Sequence, residues 1–311
     1  MILVTGATGF IGTEVVRRLS DEGIRYKCLV RTPGMENKIQ SFNPQIHYGD
    51  LLNPNNLRFI FKDVDTIVNV AGTLPFGDTS EGYRRKNVGS AVNLVEAAEQ
   101  SGVKKIVHVS AVGSSEDNTN PFLRSKYLSE NVITRSAINT IVLRLPHVFG
   151  ANDSFTNYCA ALMKISPFRL LYGDPENILQ PIHVSDVANC IVQSSVRDDK
   201  VGATFDLVGP ESISYMDLFT AVKNRFPANK LPFNPVIEVP EIVSKIFSSL
   251  WSSYSPLSFS FGQYMSSNMT STEMLIEDLF GFKPKFLFNN IQHVQRITYK
   301  RALMVLFGEK P

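Results

Sequence analysis

Gly6, Gly9 and Gly12 recur at three-residue spacing in Gly6-Ala7-Thr8-Gly9-Phe10-Ile11-Gly12, directly behind the apolar stretch Met1-Ile2-Leu3-Val4-Thr5. That pattern handles phosphate. The first glycine permits a tight turn, the second lets backbone approach a pyrophosphate, and the third lets a helix pack on the strand. Val15, Val16 and Leu19 follow at helical spacing. Free amides and the positive end of a helix dipole would therefore face a dianionic group. The alternative is a glycine-rich turn without ligand. Other reactive types show no comparable order. The five histidines lack metal-ligand spacing, so no metal is expected. Cys28, Cys159 and Cys190 have neither metal nor redox spacing and read as reduced core residues of a cytoplasmic protein. Neither Gly-x-Ser-x-Gly nor Gly-x-x-x-x-Gly-Lys occurs.

The elements that must position the glycines follow from the pattern behind them. Strands are predicted at Tyr26 to Arg31, Gln45 to Tyr48, Asp65 to Val70, Lys105 to Val109 and Thr140 to Leu145. Helices fall between them: Asn53-Pro54 through Phe61, Tyr83 to Ser101 closed by Gly102, and Pro121 to Ala137. Such alternation predicts an α/β fold, a Rossmann-type doubly wound parallel sheet. Residues 1–150 are expected to form the dinucleotide-binding domain, with 181–208 returning to it. Residues 151–180 and 209–311, richer in Pro, Ser, Phe and Asn, are expected to form a smaller, mainly helical C-terminal cap. At 311 residues and 43% hydrophobic the chain can bury such a core. No apolar run approaches the roughly 18 to 20 residues of a bilayer span. With the first strand at Met1, no signal or transit peptide is expected. A net charge of +2 argues against a dedicated nucleic-acid binder.

The ordered landmarks resemble the short-chain dehydrogenase/reductase superfamily in its extended or atypical branch. Besides the glycine turn they are Gly49-Asp50-Leu51, Asn69-Val70-Ala71-Gly72, Lys86-Asn87-Val88, His108-Val109-Ser110, Arg144-Leu145-Pro146-His147-Val148-Phe149-Gly150 and Pro181-Ile182-His183-Val184-Ser185-Asp186-Val187-Ala188. Within that branch, Phe122-Leu123-Arg124-Ser125-Lys126, Gln180 to Val187, and Phe205-Asp206-Leu207-Val208-Gly209-Pro210 are most similar to the family of the complex I 39 kDa accessory subunit and its prokaryotic relatives.

The resemblance implies roles. Gly6, Thr8, Gly9, Phe10, Ile11 and Gly12 would hold the pyrophosphate, Asp50 and Leu51 the adenine side, and Ala71 and Gly72 the underside of the cofactor. Pro146 would sit by the nicotinamide. Arg31, closing the second strand, would pair with a 2′-phosphate, favouring NADP(H) over NAD(H); otherwise it is a solvated strand end or stacks on adenine. Asp50 has a loop role as its alternative.

The catalytic positions depart from the family. Tyr-x-x-x-Lys sets both side chains on one helix face, where lysine lowers the tyrosine pKa and tyrosine moves a proton. Phe122 stands at the tyrosine position and Lys126 at the lysine, while the serine position falls on Ala111 or, with a slip of one, Ser110. Tyr127 lies about 140° around the helix from residue 122 and cannot substitute. Lys126 is either a retained cofactor ligand or a solvated helix residue. His147 could donate a proton from its loop or simply be hydrogen-bonded there, His108 reads as structural, and Ser185 reads as a helix cap ahead of Asp186.

Two functions follow. One is a non-catalytic or weakly catalytic NADP(H)-binding protein, accessory or redox-sensing, tied to a respiratory or membrane-associated complex. The alternative is an active NADP(H)-dependent reductase, epimerase or dehydratase acting on a small carbonyl or nucleotide sugar without the usual tyrosine. The tail bears on the first. From Lys283 onward six cations face Glu309 alone, against a net −3 before it. Val294, Ile297, Leu303, Val305 and Leu306 are mixed among Arg296, Lys300 and Arg301. Such a segment either lies on an anionic membrane surface or acidic partner, peripheral to a membrane, or packs as a terminal helix on the cap.

Overall fold

A computed structural model describes residues 1–75, 77–165, 169–171, 173–226, 236–238, 259–272 and 276–307. Its centre is a seven-stranded sheet in the order β7-β6-β5-β4-β1-β2-β3. The strands are β1 (Ile2–Thr5), β2 (Tyr26–Val30), β3 (Gln45–Tyr48), β4 (Thr66–Asn69), β5 (Lys105–Ala111), β6 (Asn139–Leu145) and β7 (Thr204–Asp206). Every pairing in it is parallel. Parallel strands joined by helical crossovers are covered on both faces, and Ile2 to Thr5 and Lys105 to Ala111 are accordingly buried at every position.

On one face lie α1 (Phe10–Asp21) and α7 (Val184–Val196). Val15, Val16 and Leu19 join Val187 and Ile191 over Val4, Val68 and Val107. On the other lie α2 (Leu57–Phe61), α4 (Ser90–Gln100) and α5 (Pro121–Thr134), where Phe61, Leu94 and Ile133 cover Leu3, Ile67 and Ile106. Burying a Val or Leu fully contributes about 1.5–3 kcal/mol. The α1 layer is thus held by the apolar spacing expected of Val15, Val16 and Leu19. The sheet order reverses at β1 and β4, so the strand ends open a crevice there.

Several boundaries differ from the expectation. The helix before Gly102 begins earlier, with α3 (Ser80–Tyr83), and passes through a π-helical turn, Arg84–Gly89, before α4. Strand β5 runs two residues further, to Ala111, and α5 ends at Thr134. Asn53 makes no side-chain cap; a 3-10 turn, Pro54–Asn56, leads into α2. Ser185 is not the cap of α7: His183 takes that place, its Nδ1 accepting the Ser185 N–H at 3.2 Å.

A third apolar cluster lies at the C-terminal side of the sheet. It gathers α6 (Thr156–Ile165), α8 (Tyr215–Lys223) and parts of residues 264–305 around Phe149, Phe155, Tyr158 and Tyr215. The expected basic tail belongs to it. Val294, Ala302 and Val305 are fully buried and Ile297 nearly so. The helix Tyr299–Leu306, capped by Thr298 accepting the Arg301 N–H, packs on α6. The Lys285 N–H donates to Asp186 Oδ2 at 2.7 Å and the Leu287 N–H to Glu211, fixing the approach to that helix. The tail is therefore core on its inner face. Leu303 alone of the named apolar residues is exposed, while the side chain of Leu306 and residues 308–311 fall outside the described residues.

Candidate nucleotide cleft

The turn after β1 builds a cradle because only glycine fits it. Gly6 adopts φ +67°, and a Cβ there would stand 2.7 Å from Ala71 N. A Cβ on Gly12 would overlap Gly6 O, so the third glycine sets how closely α1 can approach. Gly9 caps α1 without a side-chain bond, which leaves the first amides of the helix without a side-chain cap. Above this turn lies a cleft of about 740 Å³, within the usual range for ligand sites.

Its floor is Gly6, Thr8, Gly9 and Phe10, and Asp50 and Leu51 close it beyond β3. Arg31 and Lys38 stand on the β2 side, while Ala71, Gly72, Thr73 and Lys86 form the β4 side. Ile11, Gly12, Lys126 and Pro146 are outside the lining: Gly12 is pressed into the turn, Ile11 packs beneath the sheet layer, and Lys126 and Pro146 are buried. Asp50 has a loop task as well, since its Oδ1 accepts the Leu52 N–H at 3.0 Å.

Phe122 and Lys126 share the sheet-facing side of α5, whose start is set by Asn120 accepting the Phe122 N–H and by Pro121 in the first turn. Lys126 is no solvated residue. It is 6% exposed, and its Nζ donates to Val109 O at 2.7 Å, 3.8 Å from where a Cβ on Gly72 would lie. Burial pulls its ammonium down to about 8, against the opposing pull of Glu130. The Phe122 ring packs edge-on against Tyr83, centroids 5.7 Å apart, in the same apolar cluster as Ala111. The Ser110 hydroxyl is buried with no hydrogen-bond partner among the described residues.

A buried polar chain runs beneath. Thr5 Oγ1 donates to Asn69 Oδ1 at 2.6 Å, Asn69 Nδ2 meets His108 Nδ1 at 3.0 Å, and His108 Nε2 meets Ser129 Oγ at 3.3 Å. Ser129 in turn donates to Lys126 O. Burial, aided by Lys126, drives His108 well below the ordinary histidine range, so it is neutral and structural. His147 is fully buried between Phe155 and Tyr264 and pushed down to about 3 by burial, which removes it as a proton donor near neutrality. Lys38 in the lining was not expected from sequence, since a cation one 3-10 turn beyond Arg31 carries no spacing signal of its own.

The model of the NAD dependent epimerase/dehydratase family matches residues 2–206, well over half of the chain. The chain belongs to that family. Curated relatives include the ceramide reductase of Caulobacter vibrioides, 29% identical over 192 residues, covering 62% of this chain and 60% of the relative. Another is the mitochondrial NADH dehydrogenase [ubiquinone] 1 alpha subcomplex subunit 9 of Mus musculus, 27% identical over 238 residues, or 75% of this chain and 62% of the relative. The NAD(P)H azoreductase of Xenophilus azovorans is 27% identical over 224 residues, 71% and 72% of the two chains. The chain thus spans about six-tenths of the length of the first two relatives.

A nucleoside-diphosphate-sugar epimerase from Staphylococcus aureus shares the fold with a TM-score of 0.74 at 19% identity, covering 94% of this chain and 99% of that one. The UDP-glucose 4-epimerase of Thermotoga maritima, solved with UDP-glucose, gives 0.72 at 17%, covering 97% and 99%. The chain is an epimerase/reductase-like member of an NAD(P)-dependent family, and the resemblance to the atypical short-chain dehydrogenase/reductases holds. The cleft fits a dinucleotide: the cradle leaves no space for a Cβ at Gly6 or Gly12, and α1 starts at Gly9 with no side-chain cap on its first amides.

Proposed function

We propose that this epimerase-family chain holds NADP(H) in preference to NAD(H), as a structural or redox-sensing ligand with little or no turnover, in an accessory role at a respiratory or membrane-associated complex. The observation that carries the reading is Phe122, packed against Tyr83 where the family's tyrosine belongs. A phenyl ring cannot move a proton, and losing general acid–base assistance costs about 10²- to 10⁴-fold in rate. A bound nicotinamide supplies hydride chemistry. Around it Gly6 to Phe10 would hold the pyrophosphate, and Lys126 the nicotinamide ribose. Arg31 and Lys38, both exposed on the β2 side, support a 2′-phosphate, since an arginine fork pairs well with phosphate oxygens.

The accessory part of the reading is supported by the relatives named as a complex I subunit and, in Guillardia theta, a photosystem II assembly factor. A surface suits it. Tyr299, Leu303 and Phe307, spaced by four along the C-terminal helix, are 64%, 46% and 61% exposed beside the exposed Arg296 and Lys300. We assign this face to an anionic lipid surface.

A second reading, an active reductase, is favoured by Lys126. An ammonium held at about 8 can release a proton near neutrality without tyrosine. Assaying NADPH oxidation against a panel of carbonyls and nucleotide sugars separates the two. Sustained turnover that is lost in Lys126→Ala establishes the reductase and ends the non-catalytic proposal.

A further inference from the structure

The β4 side of the cleft carries a cation not yet given a task. Lys86 lines the cleft beside Thr73 and Leu74, yet its Nζ is turned to Asp78 Oδ2, 2.7 Å away. Asp78 is prepared for it. Its Oδ1 accepts the Thr79 N–H at 3.0 Å, and Gly82 leaves the room, because a Cβ there would overlap that oxygen. The backbone beneath Lys86 is equally fixed. Lys86 stands in the π-helical turn, whose next residue Asn87 donates to Ser125 Oγ at 2.8 Å and faces the Thr73 N–H with its Oδ1. Single π turns often mark functional positions.

Only the four-carbon side chain is therefore free to choose a partner. The side chains of Lys86 and Asp78 are 32% and 14% exposed, so an incoming anion can reach the pair from the cleft. Topology selects the anion. Ala71 and Gly72 lie between Lys86 and the glycine turn, whereas Arg31 and Lys38 lie across β1, on the β2 side. A 2′-phosphate held by Arg31 is thus on the β2 side. The glycine turn meets Ala71 and the adjoining Gly72 faces Asn87, the neighbour of Lys86, so a pyrophosphate over Gly6 to Gly9 lies toward Lys86.

We propose that Lys86 is a phosphate-binding residue, held by Asp78 in the free protein and transferred to the bridging pyrophosphate of the bound dinucleotide. The inference rests on the dinucleotide reading of the cleft. Calorimetric titration with NADPH and with NADH tests it on the full chain, Lys86→Ala, Asp78→Asn and the double variant, with melting of each free protein as the folding control. A charge-assisted contact to phosphate is strong enough that Lys86→Ala should weaken both nucleotides by the same factor, about tenfold. Asp78→Asn should tighten both, since the lysine then leaves no carboxylate behind, and the gain should vanish in the double variant. Lys86→Gln replaces Lys86→Ala if the latter does not fold.

Weaker binding in Asp78→Asn would make the pair a structural strut and overturn the proposal. A loss confined to NADPH would place Lys86 at the 2′-phosphate, and unchanged affinities would remove it from the site; either result also overturns it. Failure of the unaltered chain to bind either nucleotide would instead end the dinucleotide reading, and this proposal with it.

Discussion

Arg31 lines the cleft, Lys126 is buried behind it on Val109 O, and the two answer different questions. Arg31 bears on which nucleotide is preferred. A ligand at a hundredfold excess over its dissociation constant stabilises the native state by about 2.7 kcal/mol. Melting should therefore shift more with NADPH than with NADH at equal concentration, and Arg31→Ala should narrow the gap. A larger shift with NADH in the unaltered chain would refute the 2′-phosphate assignment. Lys126 bears on whether α5 holds a buried cation. Its ammonium titrates at about 8 in the fold and at 10.5 when unfolded, so between those values the unfolded chain binds more protons. Stability from this residue then rises with pH across that window, and the burial penalty is fully present below it. The stability difference between Lys126→Met and the unaltered chain should shrink by on the order of 3 kcal/mol over that window. A pH-independent difference in chemical denaturation would contradict the buried position.

At the scale of elements, the C-terminal helix decides what the tail is for. Val294, Ile297, Ala302 and Val305 are buried in the cap-side cluster, so deleting residues after Gln292 opens that core. Losing several buried apolar side chains at about 1.5–3 kcal/mol each should lower the melting midpoint by more than about 10 °C. A truncated chain that melts like the full one would show the helix to be an appendage. A stripe mixing apolar and basic residues looks alike whether it faces lipid or core; only its packing on α6 shows which face is inside. By contrast, the turn at Gly6 to Gly12 was legible because no other residue fits there. So was the start of α5 at Pro121, because proline suits the first turn of a helix. The π turn at Arg84–Gly89 was not legible, since the apolar period on either side, through Tyr83 and Leu94, continues across it. The His183 cap was missed because serine is the commoner cap and stood two residues away.

Across the whole molecule, the sheet's reversal at β1 and β4 places the cleft, and the C-terminal helix packed on α6 exposes Tyr299, Leu303 and Phe307. Among the described residues no helix is long and apolar enough to cross a membrane. The full chain is expected to float with anionic vesicles at low salt and to be released by salt. Leu303→Asp, an exposed position, should abolish flotation without changing the melt. Flotation unaffected by that substitution would remove the face from the account.

The central claim, a nucleotide held but not turned over, has a direct test. The protein is loaded with NADPH deuterated at the transferable position, incubated with the carbonyl and nucleotide-sugar panel, and the bound nucleotide is recovered for mass analysis. One equivalent per chain with its deuterium intact is the result expected. Deuterium appearing in a substrate, or no nucleotide retained at all, would contradict it.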